Sequence, residues 1–189
     1  MANTNTIFGL RLLNNGYGAP INAQTHPYTV AALDNVALFV GDLVKLTGEC
    51  DLGDDGFYHP TITQAAATDE AIGVVVGFYV NPNSLNQIHR TASTLRTAIV
   101  CDDPLAYFSI QSTGVGAAAD IGLCADVTVG AGNTITGLSG MQLDHAAMDA
   151  TARQLKIVAL SQEINAEFGA YTKFIVYINK HAHRSTTGV

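Results

Sequence analysis

The chain has 189 residues, of which 48% are apolar and 13% are charged, and its formal net charge is −7. This length allows one domain to bury a substantial core. Nine Lys and Arg residues without a basic cluster argue against a nucleic-acid-binding protein, because phosphate neutralisation needs grouped cations. The longest apolar run, residues 71–80, is far shorter than the roughly 20 residues of a membrane-spanning helix.

The three cysteines, Cys50, Cys101 and Cys124, are widely spaced and form no C-x-x-C pair. An odd number at this spacing supports neither a zinc ribbon nor a disulfide framework. Each lies beside apolar residues, so the sequence predicts buried free thiols in a protein made in a reducing compartment. The polar N-terminus is followed by no apolar signal-peptide core, so we expect a soluble protein made in the cytoplasm.

Residues 1–35 show no helical periodicity and are predicted to form an extended N-terminal arm, interrupted by Pro20 and Pro27. Within it, residues 7–13 form a short apolar segment. This segment can be a clasp that binds a neighbouring molecule or an edge strand of the chain's own sandwich, and the sequence leaves both open. The clasp would use Ile7, Phe8, Leu10, Arg11, Leu12 and Tyr17.

Short apolar runs separated by Gly, Pro and Asn predict many short strands along the rest of the chain. They lie at residues 36–40, 42–47, 61–63, 71–80, 98–100, 105–111, 121–129, 134–136, 155–160 and 171–179. The run at 71–80 is apolar on both faces, which predicts a strand buried on both sides. One short helix is predicted at residues 145–153. The pattern indicates an all-β domain over residues 36–181, a β-sandwich, jelly-roll-like fold or barrel of about 8–10 strands, with a C-terminal tail at 182–189.

The last predicted strand presents two different faces. Phe174, Val176 and Ile178 point to one side and are expected to face the core. Ile175 and Tyr177 make the opposite side partly apolar too, so we expect a partner or an arm to cover it.

An acidic segment at residues 48–60 raises the question of calcium, because its carboxylates are the hard oxygen ligands that calcium needs. Its acidic residues are Glu49, Asp51, Asp54 and Asp55. Their spacing does not match the EF-hand pattern, and no glutamate closes the site. A solvated hairpin tip is the preferred interpretation.

A corner at Asp102, Asp103 and Pro104 separates the strands at 98–100 and 105–111. Proline fixes its own φ, donates no N–H and pushes the preceding residue into an extended conformation. An Asx-Asx-Pro sequence is favourable turn chemistry, with carboxylates accepting hydrogen bonds from nearby backbone N–H groups. A general acid–base pair is the alternative, but adjacent strand residues point to opposite faces. We therefore predict a structural turn.

Motifs of catalysis are missing from the sequence: it has no GxSxG, no HExxH, no phosphate-binding glycine loop and no Rossmann fingerprint. Cys101 beside Asp102 can act as a nucleophile only where the fold supplies a histidine base. His181 and His183 are close enough in sequence to share a metal, but a solvated C-terminal tail is the commoner reading. The sequence predicts no enzyme activity, no cofactor and no metal site.

Seven strand-and-turn patterns extend over residues 36–181. They are GDLVKLT at 41–47, AIGVV at 71–75, IVCDDP at 99–104, FSIQ at 108–111, SGMQLD at 139–144, LKIVAL at 155–160 and KFIVYINKH at 173–181. In these patterns the chain resembles the decoration proteins of tailed-bacteriophage heads. The N-terminal arm has no motif to align with that family.

The resemblance implies an all-β cement protein without enzyme activity or cofactor. It would sit on the outer surface of the virion capsid, at contacts between major capsid proteins, as a homotrimer or alternatively a dimer. A negative net charge suits the outer face of a shell, because the inner face meets packaged DNA. The clasp residues, together with Ile175 and Tyr177, would then form the capsid or oligomer interface.

A carbohydrate- or cell-surface-binding β-sandwich is the alternative function. Such modules commonly bind through exposed aromatic platforms. The chain has no Trp and only 7% aromatic residues, which disfavours this reading.

Overall fold

The structure, a computed structural model, describes residues 3–15, 25–82, 84–164, 166–186 and 188. It confirms the predicted all-β class. The described strands are β1 Arg11–Asn15, β2 His26–Val30, β3 Leu43–Leu52, β4 Tyr58–Gln64, β5 Gly73–Phe78, β6 Arg96–Cys101, β7 Ala106–Gln111, β8 Cys124–Ala125, β9 Val127–Thr128, β10 Gln142–Leu143, β11 Leu155–Leu160 and β12 Lys173–Ile178. The described residues also form three short 3₁₀ turns, at Ala118–Asp120, His145–Ala147 and Ala182–Arg184.

Five strands close into a barrel in the order β2-β4-β3-β5-β6. Its pairings are antiparallel except that between β2 and β4, which are parallel at Thr29 and Thr61. Closure removes exposed strand edges, and a small barrel is filled by its own side chains. The interior is filled by Tyr28, Val30, Leu38, Val44, Ile62, Ile72, Val75, Ala98 and Val100.

A five-stranded antiparallel sheet, in the order β1-β7-β12-β11-β8, packs on the outside of this barrel. The second core lies between them and combines barrel residues such as Leu43 and Val74 with sheet residues such as Phe108 and Phe174. Strand β5 therefore sends Val74 toward the sheet and Val75 into the barrel, both fully buried. The prediction that the run at 71–80 is buried on both faces is thus confirmed for residues 71–75 and wrong for its second half, where Val80 is 73% exposed.

Two buried arginines hold the loops at one end of the barrel. The guanidinium of Arg90 is fully buried and that of Arg96 nearly so. Arg90 donates to the carbonyls of Ala31, Asp34, Val36 and Thr94. Arg96 donates to the carbonyls of Tyr79, Gln87 and His89. In these loops the guanidinium groups bind backbone carbonyls that, in a sheet, would accept hydrogen bonds from a neighbouring strand.

The predicted strand at 36–40 is wrong, since this segment makes only isolated bridges at Leu38 and Val40. The carboxylate of Asp42 accepts a hydrogen bond from the Phe39 N–H at 2.8 Å, and Gly41 has φ +96°, so the chain turns sharply before β3. A carboxylate that bonds the backbone in this way competes with the strand ladder.

The predicted strand at 134–136 is also wrong. The side-chain oxygen of Asn133 accepts from the N–H groups of Ile135 at 2.9 Å and Thr136 at 3.1 Å, which makes this segment an Asx turn. In the predicted strand region 121–129, only the two-residue strands β8 and β9 form.

The helix predicted at 145–153 shortens to the single 3₁₀ turn His145–Ala147, which the Asp144 side chain caps at the Ala146 N–H. The helix cannot continue because Asp149 exchanges both backbone hydrogen bonds with Cys124, at 2.9 and 3.0 Å. Tertiary pairing overrides local helix propensity here.

The predicted extended arm at 1–35 contributes to both layers. Strand β1 is an edge strand of the sheet, and β2 is a barrel strand. Among the described residues, position 35 therefore marks no boundary between an arm and a body. The predicted tail at 182–189 begins with the 3₁₀ turn Ala182–Arg184, which follows a backbone bridge between Ala71 and His181.

Candidate functional site

The described members of the predicted clasp meet at one open apolar cleft beside β1. The cleft has a volume of about 450 Å³ and lies where the edge of the sheet meets the barrel. It is lined by Thr6, Ile7, Phe8, Leu10, Arg11, Leu12, Val40, Gly41, Val75, Val76 and Leu138. Tyr17, the remaining predicted clasp residue, lies outside the described residues.

Residues 3–8 reach this cleft along the sheet and are held by side-chain amides. The Asn3 amide donates to the carbonyls of Glu167 at 2.7 Å and Ala170 at 3.0 Å. Gln111, on β7, accepts from the Thr6 N–H at 2.8 Å and donates to the Asn5 side chain at 2.8 Å. The segment is therefore fixed at Asn3 to the loop that precedes β12, and at Asn5 and Thr6 to the end of β7.

Two cations lie close to the Phe8 ring. The Arg11 guanidinium is 4.8 Å from the centre of the ring, and the Lys173 ammonium is 5.5 Å away. Both cations also pair with Glu163, with a distance of 2.9 Å for Lys173. Burial, followed by repulsion from Arg11, lowers the pKa of Lys173. This rim of the cleft combines an aromatic face with a compact charge network.

At Gly9 the segment turns from the surface into the core. Gly9 has φ +70°, and a Cβ there would lie 2.5 Å from both the Gly41 carbonyl oxygen and the Ser139 Cβ. The next residue, Leu10, is only 2% exposed and packs in the core between sheet and barrel. The assignment of Leu10 to a contact surface is therefore corrected: it is buried in the chain's own core, whereas Ile7 is 42% exposed.

The structure shows that β1 is an edge strand of the chain's own sheet, which is one of the two interpretations that the sequence left open for this segment. Arg11 pairs with Ser109 and Leu12 with Phe108 on β7. A bulge follows between Leu12 and Asn14. Bulges of this kind twist an exposed edge and discourage unwanted pairing. The proposed contact role of the exposed residues Ile7 and Arg11 stays a prediction.

The outer face of the sheet carries Ile175 and Tyr177. Ile175 lines a second depression of about 540 Å³, with Leu13, Asn14, Tyr107, Val158, Ala159, Ser161, Gln162 and Glu163. Tyr177 stacks on Tyr107, with ring centres 6.2 Å apart, and the Arg184 guanidinium is 6.0 Å from the Tyr177 ring. Both predicted residues are half-buried and face outward from the core.

The corner between β6 and β7 confirms the predicted turn at Asp102, Asp103 and Pro104. The carboxylates of the two aspartates have different partners. Asp103 accepts a hydrogen bond from the Leu105 N–H at 2.8 Å, as expected of an Asx turn. Asp102 is only 5% exposed and accepts from the Tyr28 hydroxyl at 2.8 Å, and His26 Nδ1 lies 2.8 Å from its other oxygen. Burial, reinforced by this bond to Asp102, raises the pKa of Tyr28. The carboxylates do not converge as an acid–base pair.

Cys101 does not have the character of a nucleophile. Its side chain is fully buried in the core between sheet and barrel. Cys124 is buried as well, whereas Cys50 is exposed on β3, so the prediction of a buried thiol is wrong for Cys50. Burial raises the pKa of the Cys101 thiol to about 11, so the thiol is protonated at neutral pH.

His181 corrects the expectation of a solvated tail. It is only 1% exposed, and burial lowers its pKa to about 4. Its Nδ1 accepts from the His183 N–H at 3.1 Å. In the described part of the chain, no three His, Cys, Asp or Glu side chains are grouped so that they could hold a metal ion.

The acidic segment at 48–60 is the tip of the β3–β4 hairpin, and the interpretation as a solvated tip is confirmed. Two exposed aromatic residues there, Phe57 and Tyr58, were missed by the sequence reasoning. Their position next to the glycine of a tight turn was the available signal, because a turn exposes its flanking side chains.

Comparison of the chain with protein-family models, curated proteins and solved structures finds no match. No helix among the described residues is long and apolar enough to cross a membrane.

Proposed function

We propose that this protein is a structural virion protein that binds the outer surface of a bacteriophage capsid and cements contacts between major capsid proteins. The observation that carries the proposal is the open apolar cleft beside β1, where the predicted clasp residues come together. The walls of this apolar cleft belong to two packed layers, so the cleft is already formed in the free protein and can bind an apolar segment of a neighbouring chain. The proposal includes no enzyme activity and no cofactor.

The cleft has the composition of a protein-binding surface. Ile7 and Leu138 are 42% and 36% exposed, and they border the buried floor formed by Leu10 and Val75. Arg11, whose side chain is 51% exposed, lies at the rim. Interfaces are commonly apolar at the centre and polar at the rim, with arginine enriched.

The stabilisation of the capsid lattice by this protein would follow from thermodynamic linkage between binding and assembly. A protein that binds the assembled lattice but not the free subunits stabilises the lattice by RT ln(1 + [L]/Kd) at each site, about 2.7 kcal/mol at a hundredfold excess over Kd. Repeated over many contacts in a shell, this contribution resists the pressure of packaged DNA. The net charge of −7 suits the outer surface of that shell.

The proposal is tested by cosedimentation. The purified protein is mixed with undecorated heads assembled from the major capsid protein of the same genome. We expect saturable binding at a fixed ratio and heads that withstand higher temperatures. Light scattering should give about 59 kDa for the proposed homotrimer of 19.8 kDa chains, the dimer being the alternative. Heads that neither retain the protein nor gain heat resistance would contradict the proposal.

A pair of matched variants tests the cleft itself. Ile7→Asp places a charge in the exposed wall of the cleft, and we expect it to weaken binding to heads at least about tenfold. Leu85→Asp is the control, because Leu85 is 76% exposed in the β5–β6 connection and lies outside the cleft. Equal binding by the two variants would exclude the cleft as the contact surface.

A further inference from the structure

The outer half of the β3–β4 hairpin is largely exposed to solvent. Strand β3 is ten residues long; Leu43 and Val44 at its start are buried, whereas every residue from Thr47 to Leu52 is exposed. The returning strand β4 is likewise exposed at Tyr58 and becomes buried only at Thr61. The outer half of this hairpin therefore contributes little to the cores of the chain.

One face of this outer half is apolar. Leu52 lies directly opposite Tyr58, and Cys50 directly opposite Pro60, so these four side chains share a face. Leu52 is 43% exposed, Tyr58 72% and the adjacent Phe57 69%. A grouped exposure of large apolar side chains on a soluble domain marks an interaction surface.

The turn that carries these side chains is held in one conformation. The Gly53 N–H donates to the Phe57 carbonyl at 2.7 Å, and the Asp55 carboxylate accepts from the Phe57 N–H at 3.1 Å. The same carboxylate lies 2.8 Å from His59 Nε2. Asp54 accepts from the backbone N–H of Thr97 at 3.1 Å, which ties the tip to β6. A pre-organised tip loses little conformational entropy on binding.

The charge of the hairpin has one sign. Residues 46–89 contain no Lys or Arg, whereas the hairpin carries Glu49, Asp51, Asp54 and Asp55. The Asp55 carboxylate is engaged within the tip and that of Asp54 with the backbone of β6, whereas Glu49 and Asp51 are exposed on β3, on the face opposite to Cys50 and Leu52. A surface that complements this hairpin must be apolar where it meets Leu52 and Tyr58 and positively charged beside that contact.

We propose that the β3–β4 hairpin tip is a second docking element, which inserts Leu52, Phe57 and Tyr58 into an apolar recess bordered by Lys or Arg on the lattice protein. This inference rests on the proposed function and names the partner surface. The aromatic side chains supply the affinity, as aromatic anchors do in protein interfaces. Glu49 and Asp51 supply electrostatic steering, which is sensitive to salt.

The apolar part is tested with the double variant Phe57→Ser/Tyr58→Ser in the head-binding assay. We expect binding at least about tenfold weaker than wild type. Leu85→Ser is the matched control, an exposed apolar residue on another loop, and should bind as wild type does. Urea unfolding of both variants verifies that the domain remains folded, since the changed side chains are exposed.

The contribution of Glu49 and Asp51 to binding is tested by measuring how the affinity for heads depends on salt concentration. Wild-type affinity for heads should fall between about 50 mM and about 300 mM salt. The Glu49→Gln/Asp51→Asn variant should bind more weakly at low salt and show a flatter salt dependence. An unchanged salt dependence would overturn the assignment of a basic rim.

The outcomes separate the two proposals. If wild type binds heads and the hairpin variants bind equally well, the docking element is wrong while the proposed function stands. If wild type does not bind heads, both are wrong. A lower mass of the double variant in light scattering would place the tip between copies of this chain, and binding of wild type to a glycan array that the double variant loses would assign it to carbohydrate; either result overturns the inference.

Discussion

Arg90 shows how a single charged side chain can hold a region that has no regular secondary structure. Its guanidinium is fully buried and donates to backbone carbonyls from two separate segments, at 31–36 and at Thr94. Arginine suits this role because its planar group presents five donors in a fixed geometry. Desolvation lowers the pKa of Arg90, opposed by the charge of Asp34, yet the group remains charged at neutral pH.

We expect Arg90→Met to lower the free energy of unfolding by about 3 kcal/mol or more, because several buried carbonyls lose their donor while the volume is roughly kept. Urea denaturation at neutral pH measures the change. Arg11→Met is the control: the Arg11 side chain is 51% exposed, and its ion pair with Glu163 should be worth less than about 1 kcal/mol. A loss for Arg90→Met no larger than that of the control would contradict this account.

At the scale of elements, the N-terminal segment combines a surface part and a core part joined at Gly9. Ile7 is 42% exposed, whereas Leu10 is 2% exposed and packs against both layers. Deleting residues 2–13 would therefore remove a core side chain and most of β1, so loss of capsid binding by such a truncation would not distinguish a missing contact from an unfolded domain. Point substitutions separate these effects.

Leu10→Ala should cost about 3 kcal/mol of unfolding free energy, from lost burial and the cavity left behind. Ile7→Ala should change the same quantity by less than about 1 kcal/mol, because its side chain is partly in water. Thermal and urea unfolding of both variants provide the measurement. Comparable losses for the two would show that the whole segment, rather than Leu10 alone, belongs to the core.

At the scale of the whole molecule, the C-terminal turn is joined to the barrel beside Ala71. The Ala71 N–H donates to the Lys180 carbonyl at 3.0 Å, and the Ala182 N–H donates to the Ala71 carbonyl at 2.8 Å. His181 lies between these bonds, buried and neutral, with its pKa lowered to about 4 by burial. The unfolded chain takes up a proton on this residue at a higher pH than the folded chain does, so acidification favours unfolding.

Global stability should accordingly fall as the pH drops from about 6.5 to about 4, with His181 contributing on the order of 3 kcal/mol to the loss. Urea unfolding at about pH 7 and about pH 4.5 measures this difference. In His181→Gln the loss between the two pH values should be smaller by that contribution. Equal pH dependence of the wild type and His181→Gln would show that His181 does not titrate as described.

Four features were predictable from the sequence alone: the all-β class, the double-sided burial of residues 71–75, the turn at Asp102, Asp103 and Pro104, and the solvated hairpin tip. Each depends on side-chain alternation, proline geometry or turn residues, which act over a few neighbouring positions. The division into a barrel and a covering sheet was not predictable, because strand pairing between distant segments sets it.

The candidate site shows the same limit. The apolar character of residues 7–13 predicted a contact segment, but only the fold decided that Leu10 enters the core while Ile7 remains exposed. The structural role of Arg90 and the pairing of Asp102 with Tyr28 likewise depend on residues far apart in sequence. Local sequence determined the all-β class and most of the strands and turns, although distant pairing overrode it at residues 145–153. Tertiary packing decided which side chains are available to a partner, because burial depends on distant neighbours brought together.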